Sequence, residues 1–253
     1  MTVKVVIGER RVDLVLARPE VLNAMDWATF GALAEACDEI GAHDDARVVV
    51  VSGEGPSLSS GIDVSAFSSR AGSMEQMIAH AQAGFRKLAA LELPTIAVLR
   101  GHALGAGLQL ALACDIRVAT RDASMGLLEH RFGILPDLGG TQRLPSLVGP
   151  GYAKKMIWTR ERIDGAEAHR RGLVEVLVET DELDLVVDRL AAEIAAAPPT
   201  AARQVKALVE LSGRVAAADG MDAEAHAQMA CFDSPDFGEA VAAFMEKRQP
   251  NFR

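Results

Sequence analysis

The residues of this 253-residue sequence that could do chemistry fall into two groups. The first is a pair of carboxylates, Glu129 and Asp137, in the run LEHRFGILPDLGGTQRLP. Glu129 stands in an apolar neighbourhood, and Asp137 lies between a proline and a Leu-Gly-Gly turn. Desolvation raises the pKa of a carboxyl so placed, which suits it to take up and return a proton. The second group is two glycine turns, Ser60-Gly61-Ile62-Asp63 and Gly105-Ala106-Gly107. Such turns leave backbone N–H groups open to a close approach, and the second feeds a helix start, where unpaired N–H groups and the macrodipole favour negative charge. A phosphate, a carboxylate or a developing oxyanion could sit there. Each feature also has a plain structural reading. The glycines would permit tight helix packing, Ser57–Ser60 would be a polar loop, Glu129 would pair with His130 or Arg131, and Asp137 would cap a helix beginning near Gly139.

The elements around these residues alternate. Residues 2–8 and 11–17 read as a strand pair about Gly8-Glu9-Arg10, and Asp26 as the N-cap of a helix reaching Ile40. Arg47–Ser52 is a continuous apolar strand of the kind buried on both faces. A small polar stretch, Ser68–Glu75, is expected to be mobile, and a helix follows from Met74 to Leu91. Pro94–Arg117 then holds a strand over 95–99, a break at Gly101, the glycine turn, and an apolar helix over Leu108–Ala113. Further short strands are expected near 118–126 and 174–178, with helices over 151–159 and 165–171. The remainder is helical: 183–197, 200–211, about 215–231 and 235–247. Pro198-Pro199 is the best break, dividing a core of 1–197 from a helical region of 198–253. Strands alternating with helices, then helices alone, predict an α/β core capped or assembled by its C-terminal part.

Hydrophobic residues make up 49% and charged residues 24%, so the chain can bury a sizeable core. A net charge of −9 argues against a general nucleic-acid surface, though a local base such as Arg18 leaves an anionic small ligand open. Apolar runs are broken well short of the ~18 residues a membrane span needs, and the N-terminus lacks a signal-peptide core, so a cytosolic location is expected. Cys37, Cys114 and Cys231 have neither disulfide nor zinc spacing, and the six histidines show no ligand pattern. GxSxG, GxxxxGK[ST] and HExxH are absent, and Leu110 stands where a dinucleotide fingerprint needs its third glycine. Metal and nicotinamide chemistry are therefore disfavoured, and a serine hydrolase using Ser57 or Ser60 is a minor alternative.

Five segments in order resemble the enoyl-CoA hydratase/isomerase, or crotonase, superfamily over nearly the whole length. They are Arg18-Pro19 with Leu22-Asn23-Ala24, Ser60–Asp63, Gly101–Gly107 through Cys114–Arg117, Gly139–Leu144, and Phe244–Arg248. The resemblance implies a spiral of β-β-α turns with C-terminal helices, assembled as homotrimers or hexamers. It also implies an acyl-CoA thioester substrate, with coenzyme A part of the substrate and no other cofactor. The backbone N–H groups of Ile62 and Ala106 would hold the thioester oxygen. Arg18, Leu22, Ser60, Asp63, Val64 and Gly105 would line the substrate site, with Phe244 and Lys247 reaching a CoA site from the last helix. Helix 74–85 and the stretch before it would form the acyl pocket. Hydratases of the family use two glutamates, and here the first position is Gln109, an amide that can orient water but cannot accept a proton near pH 7. Glu129 remains as the single general acid/base, sufficient to move a double bond. Asp137 matches the second acid of dienoyl-CoA isomerases. A double-bond isomerase is thus the favoured reading, with a hydratase next and a non-catalytic acyl-CoA binder third.

Overall fold

A computed structural model describes residues 1–68 and 72–252 of the chain. The expected mobile stretch 68–75 lies partly outside the described residues; its described end is ordered, with Ser73 and Gln76 closing a capping box at the start of the following helix.

The fold repeats one unit: a strand in a main sheet, a short extended piece in a second layer, then a helix. β1 (Val3–Ile7) and β2 (Arg11–Leu16) pair antiparallel, as alternation about Gly8 predicts. After β2 the chain passes a bridge residue, Met25, and enters α1 (Trp27–Gly41), where Asp26 accepts the Thr29 N–H as N-cap. β3 (Val48–Gly53) leads to the bridge residues Ser59 and Ile62 and then α2 (Met74–Ala90). β4 (Thr95–Leu99) leads to β5 (His102–Leu104) and α3 (Ala106–Leu112). β6 (Ile116–Thr120) leads to β7 (Ser124–Gly126), a 3₁₀ turn (Glu129–Phe132), α4 (Gly140–Val148) and α5 (Pro150–Thr159). α6 (Gly165–Arg170) and β8 (Val176–Val178) follow, then α7 (Leu183–Ala195), α8 (Pro199–Leu211), α9 (Ala217–Asp233) and α10 (Pro235–Glu246).

The main sheet has the order β1-β2-β3-β4-β6-β8, parallel from β2 onward. The second layer consists of the parallel pair β5-β7 and the bridges Met25–Ile62, Ser59–Ala103 and Met125–Ile163. Consecutive turns of the spiral therefore deliver the ends of their second-layer pieces to one side of the molecule.

Successive strand residues face opposite ways, so the apolar run of β3 serves two cores. Val49 and Val51 join a large cluster with α1, α2 and α3, while Val48 and Val50 pack with Ile96, Val98 and Val118 against Leu183, Val187 and Ala191 of α7. Both faces are covered, as the sequence predicts. The central helix starts earlier than its apolar pattern suggests, at Ala106 directly after Gly105, and all seven of its residues are buried. β5 is not foreseen by the pattern, because three residues between glycine breaks are too few to show a period. The expected cap at Asp137 does not form: Gly139 occupies the N-cap of α4.

Candidate active site

Three spiral turns meet at the site. Gly61 ends the segment after β3, Gly105 ends β5, and Glu129 follows β7. A Cβ at Gly61 would lie 3.7 Å from the Ala106 N, and one at Gly105 would lie 3.3 Å from Glu129 Oε1 and 3.9 Å from the Gly61 Cα. Gly105 holds φ +52° and ψ −120°, a conformation that L side chains rarely adopt, and as N-cap it places the Ala106 N–H at the start of α3. Gly107 serves the packing role: a Cβ there would meet the Ser59 carbonyl oxygen at 2.6 Å. The N–H groups of Ile62 and Ala106 have no hydrogen-bond partner among the described residues.

The turn bearing Ile62 is held by Asn23, a residue that sequence reasoning did not single out for this role. Its side-chain N–H groups donate to the carbonyls of Glu54 (2.9 Å) and Ser57 (2.8 Å), and its Oδ1 accepts the Arg18 N–H at 2.8 Å. Ser59 Oγ donates to the Asn23 carbonyl at 2.7 Å and accepts the Gly61 N–H at 3.1 Å. The signal available in the sequence was an Asn in a Leu-Asn-Ala turn; Leu22 and Asn23 both take left-handed backbone angles, which Asn tolerates well.

Glu129 is buried. Its Oε1 accepts the Gln109 Nε2 at 2.7 Å, and its Oε2 is buried with no partner among the described residues. Desolvation pushes its pKa up, opposed by hydrogen bonds from its own backbone and from Gln109, while the Asp137 charge pushes it further up. The alternative reading, in which Glu129 pairs with His130 or Arg131, is not seen among the described residues; Gln109 is the side-chain partner. Asp137 is half-buried, and burial raises its pKa as well, against its own backbone hydrogen bond.

Gln109 is 1% exposed. Its Oε1 accepts the Leu138 N–H (2.8 Å) and the Gly140 N–H (3.0 Å), so the amide is held by the protein on both sides.

The remaining predicted residues lie at varying distance from this centre. Arg18 donates to the Ala24 carbonyl and pairs with Asp26 (3.1 Å) and Asp63 (3.3 Å). Asp63 is held below the usual carboxylate range, chiefly by the Ser65 hydroxyl, with Arg18 adding to it. Ser60 donates its N–H to the Leu22 carbonyl, and Val64 is exposed. Together Arg18, Leu22, Ser60, Asp63 and Val64 form one rim beside the Ile62 turn. Phe244 is 82% exposed on α10 and Lys247 caps that helix, and among the described residues no hydrogen bond or ion pair joins either to the rim. The two serines have backbone partners: Ser57 Oγ accepts the His102 N–H, and Ser60 Oγ donates to the Val21 carbonyl. Among the described residues no three His, Cys, Asp or Glu side chains gather as a metal site, and no helix is long and apolar enough to cross a membrane.

A spiral α/β core that brings together a buried glutamate and two backbone N–H groups, with the glutamate Oε2 and both N–H groups unpartnered among the described residues, defines an enzyme of the crotonase type. The comparisons agree. The enoyl-CoA hydratase/isomerase family model matches residues 12–253. A crotonyl-CoA hydratase of Syntrophomonas wolfei is 36% identical over 96% of this chain and 95% of its own length. A peroxisomal Delta(3,5)-Delta(2,4)-dienoyl-CoA isomerase of Arabidopsis thaliana is 35% identical over 94% and 91%. The solved structure of a putative enoyl-CoA hydratase from Thermobifida fusca in complex with acetoacetyl-CoA superposes with a TM-score of 0.84 at 38% identity, covering 91% of this chain and 94% of that one. This chain belongs to the enoyl-CoA hydratase/isomerase family.

Proposed function

We propose that the protein binds acyl-CoA thioesters and moves a carbon–carbon double bond through a thioester enolate. The observation that carries this reading is Glu129 Oε2, buried and, like the N–H groups of Ile62 and Ala106 in the same site, without a hydrogen-bond partner among the described residues. With the thioester oxygen on those two N–H groups, ionised Glu129 takes a proton from C2 of a 3-enoyl-CoA. The electron pair passes into the enolate, and Glu129 returns the proton to C4 as the pair comes back. Two fixed donors aimed at the developing oxyanion are worth ~100-fold or more each. Asp137, whose pKa burial pushes up, supplies a second acid for a conjugated dienoyl substrate. The relative named as a dienoyl-CoA isomerase supports this branch.

Hydration is the second reading, favoured by the hydratase relatives, with Asp137 in place of the missing glutamate. Against it stands Gln109, whose oxygen is fully engaged by Leu138 and Gly140 and whose amide cannot take a proton from water. In this reading coenzyme A is part of the substrate and no further cofactor takes part; the rim of Arg18, Leu22, Ser60, Asp63 and Val64 receives the CoA moiety. The active form is a homo-oligomer joined through α8–α10, with Phe244 and Lys247 serving a neighbour's site.

Incubation with 3-enoyl-, 3,5-dienoyl- and 2-enoyl-CoA in deuterated water, followed by mass spectrometry, tests this. Isomerised products carrying exchanged deuterium are expected. Rapid water addition to the 2-enoyl thioester with no isomerisation of the others would refute it.

A further inference from the structure

The peptide group between Asp137 and Leu138 is gripped from both sides by glutamines. On one side Gln82 of α2 donates its Nε2 to the Asp137 carbonyl at 2.7 Å. On the other, the Leu138 N–H donates to Gln109 Oε1 at 2.8 Å. Partner chemistry fixes both amides: an oxygen alone can accept the Leu138 and Gly140 N–H groups, and an NH₂ alone can donate to a carbonyl. Arg86, one turn along α2, donates to Gln82 Oε1 at 2.6 Å and so turns the Gln82 NH₂ toward the loop. Gln109, held with its oxygen toward the loop, must present its NH₂ to Glu129, and does so at 2.7 Å.

We infer that Gln82 is a positioning residue, which acts through the Asp137–Leu138 peptide and Gln109 to set the Glu129 carboxylate. The inference rests on the reading of Glu129 as the general acid/base. Its physical content is a chain of four hydrogen bonds, Arg86 to Gln82 to the peptide to Gln109 to Glu129, that ties helix α2 to the reacting carboxylate. Without Gln82 the peptide can rotate, and Gln109 Oε1 loses a well-aligned donor. Its amide is then held on that side by the Gly140 N–H alone, so the hydrogen bond it gives the charged form of Glu129 is weakened and less well aimed. Asp137 is the charged group that acts on Glu129, and its backbone sits in the same grip. The weakened Gln109 bond makes the base harder to ionise and less well aimed.

The test is Gln82→Met, which keeps side-chain length and helix propensity and removes the amide, both the donor to the Asp137 carbonyl and the acceptor of Arg86. It is assayed in the full-length enzyme on the enoyl-CoA thioester turned over fastest. We expect kcat to fall about tenfold with KM within about twofold, as for a modest misplacement of a catalytic group. The acidic limb of the kcat profile should move to higher pH, with the thermal midpoint little changed. An unchanged kcat and limb would overturn the inference, and so would a fall in kcat without movement of the limb, the mark of a packing effect. Glu129→Gln separates the two levels: if it is inactive while Gln82→Met behaves as wild type, only the role of Gln82 falls. If Glu129→Gln keeps full turnover, the acid/base reading falls with it.

Discussion

Glu129 has one oxygen hydrogen-bonded and the other buried without a partner among the described residues, so the folded chain is destabilised whenever that carboxyl is charged. Its pKa is raised on folding, so the contribution it makes to stability is present at low pH and is lost as pH rises through the folded value. Glu129→Gln is neutral at every pH. Calorimetry should therefore show a higher Tm for the variant at pH 8, with the difference closing as pH falls toward the ordinary carboxylate range. Turnover should drop by about 10²–10⁴-fold, the usual worth of a general acid/base. In the wild type the acidic limb of kcat/KM should lie above the ~4.3 of an ordinary glutamate, because the base must be ionised to act. A limb at that ordinary value would contradict the burial argument. Glu129 and Asp137 were legible from their type and neighbourhood. The grip on Gln109 was not, because its oxygen meets N–H groups about thirty residues further along the chain, a proximity set by the spiral.

At the scale of elements, the spiral explains why distant turns converge: each second-layer piece ends in a turn, and successive ends stack. The first of these depends on Asn23, whose side chain makes three hydrogen bonds from a buried, left-handed position. Asn23→Ala leaves the buried Ser57 carbonyl, the part-buried Glu54 carbonyl and the Arg18 N–H without these partners and puts alanine at positive φ. Denaturant unfolding should report a loss of about 2–4 kcal/mol. The Ser57–Ile62 segment loses its anchor, so kcat should fall more than KM rises. A loss under about 0.5 kcal/mol would show that water replaces these bonds. Long periodic elements such as α1, α2 and α7 were readable to within a residue or two of their ends. β5, the bridges and the 3₁₀ turn carrying Glu129 were not, because they are set by pairing with neighbouring turns rather than by any local period.

The molecule as a whole exposes 12940 Å², whereas a compact monomer of 26.8 kDa should expose about 10,800 Å². The excess, about 2,000 Å² per chain, is of the size that a subunit buries in a permanent assembly. Its location is informative. Val205 and Val209 on α8, Met221, Met229 and Phe232 on α9, and Phe237, Val241, Phe244 and Met245 on α10 are all exposed, on the helices that pack least against the spiral core. α8 is itself tied to the core, since Lys206 donates to the Leu93 carbonyl and pairs with Asp115, both at 2.8 Å. The apolar face of α8 is therefore anchored to the core. Sedimentation should give the wild-type chain a mass that is a multiple of 26.8 kDa. Val209→Glu, which buries a charge in any joint made by this face, should shift it to the single-chain mass. If Phe244 and Lys247 complete a neighbour's CoA site, the same variant should raise KM for the thioester about tenfold or more while Glu129 keeps its acidic limb. A wild-type chain sedimenting as a monomer would refute the assembly. A dissociated variant with unchanged KM would leave the assembly standing but return Phe244 and Lys247 to a purely structural role.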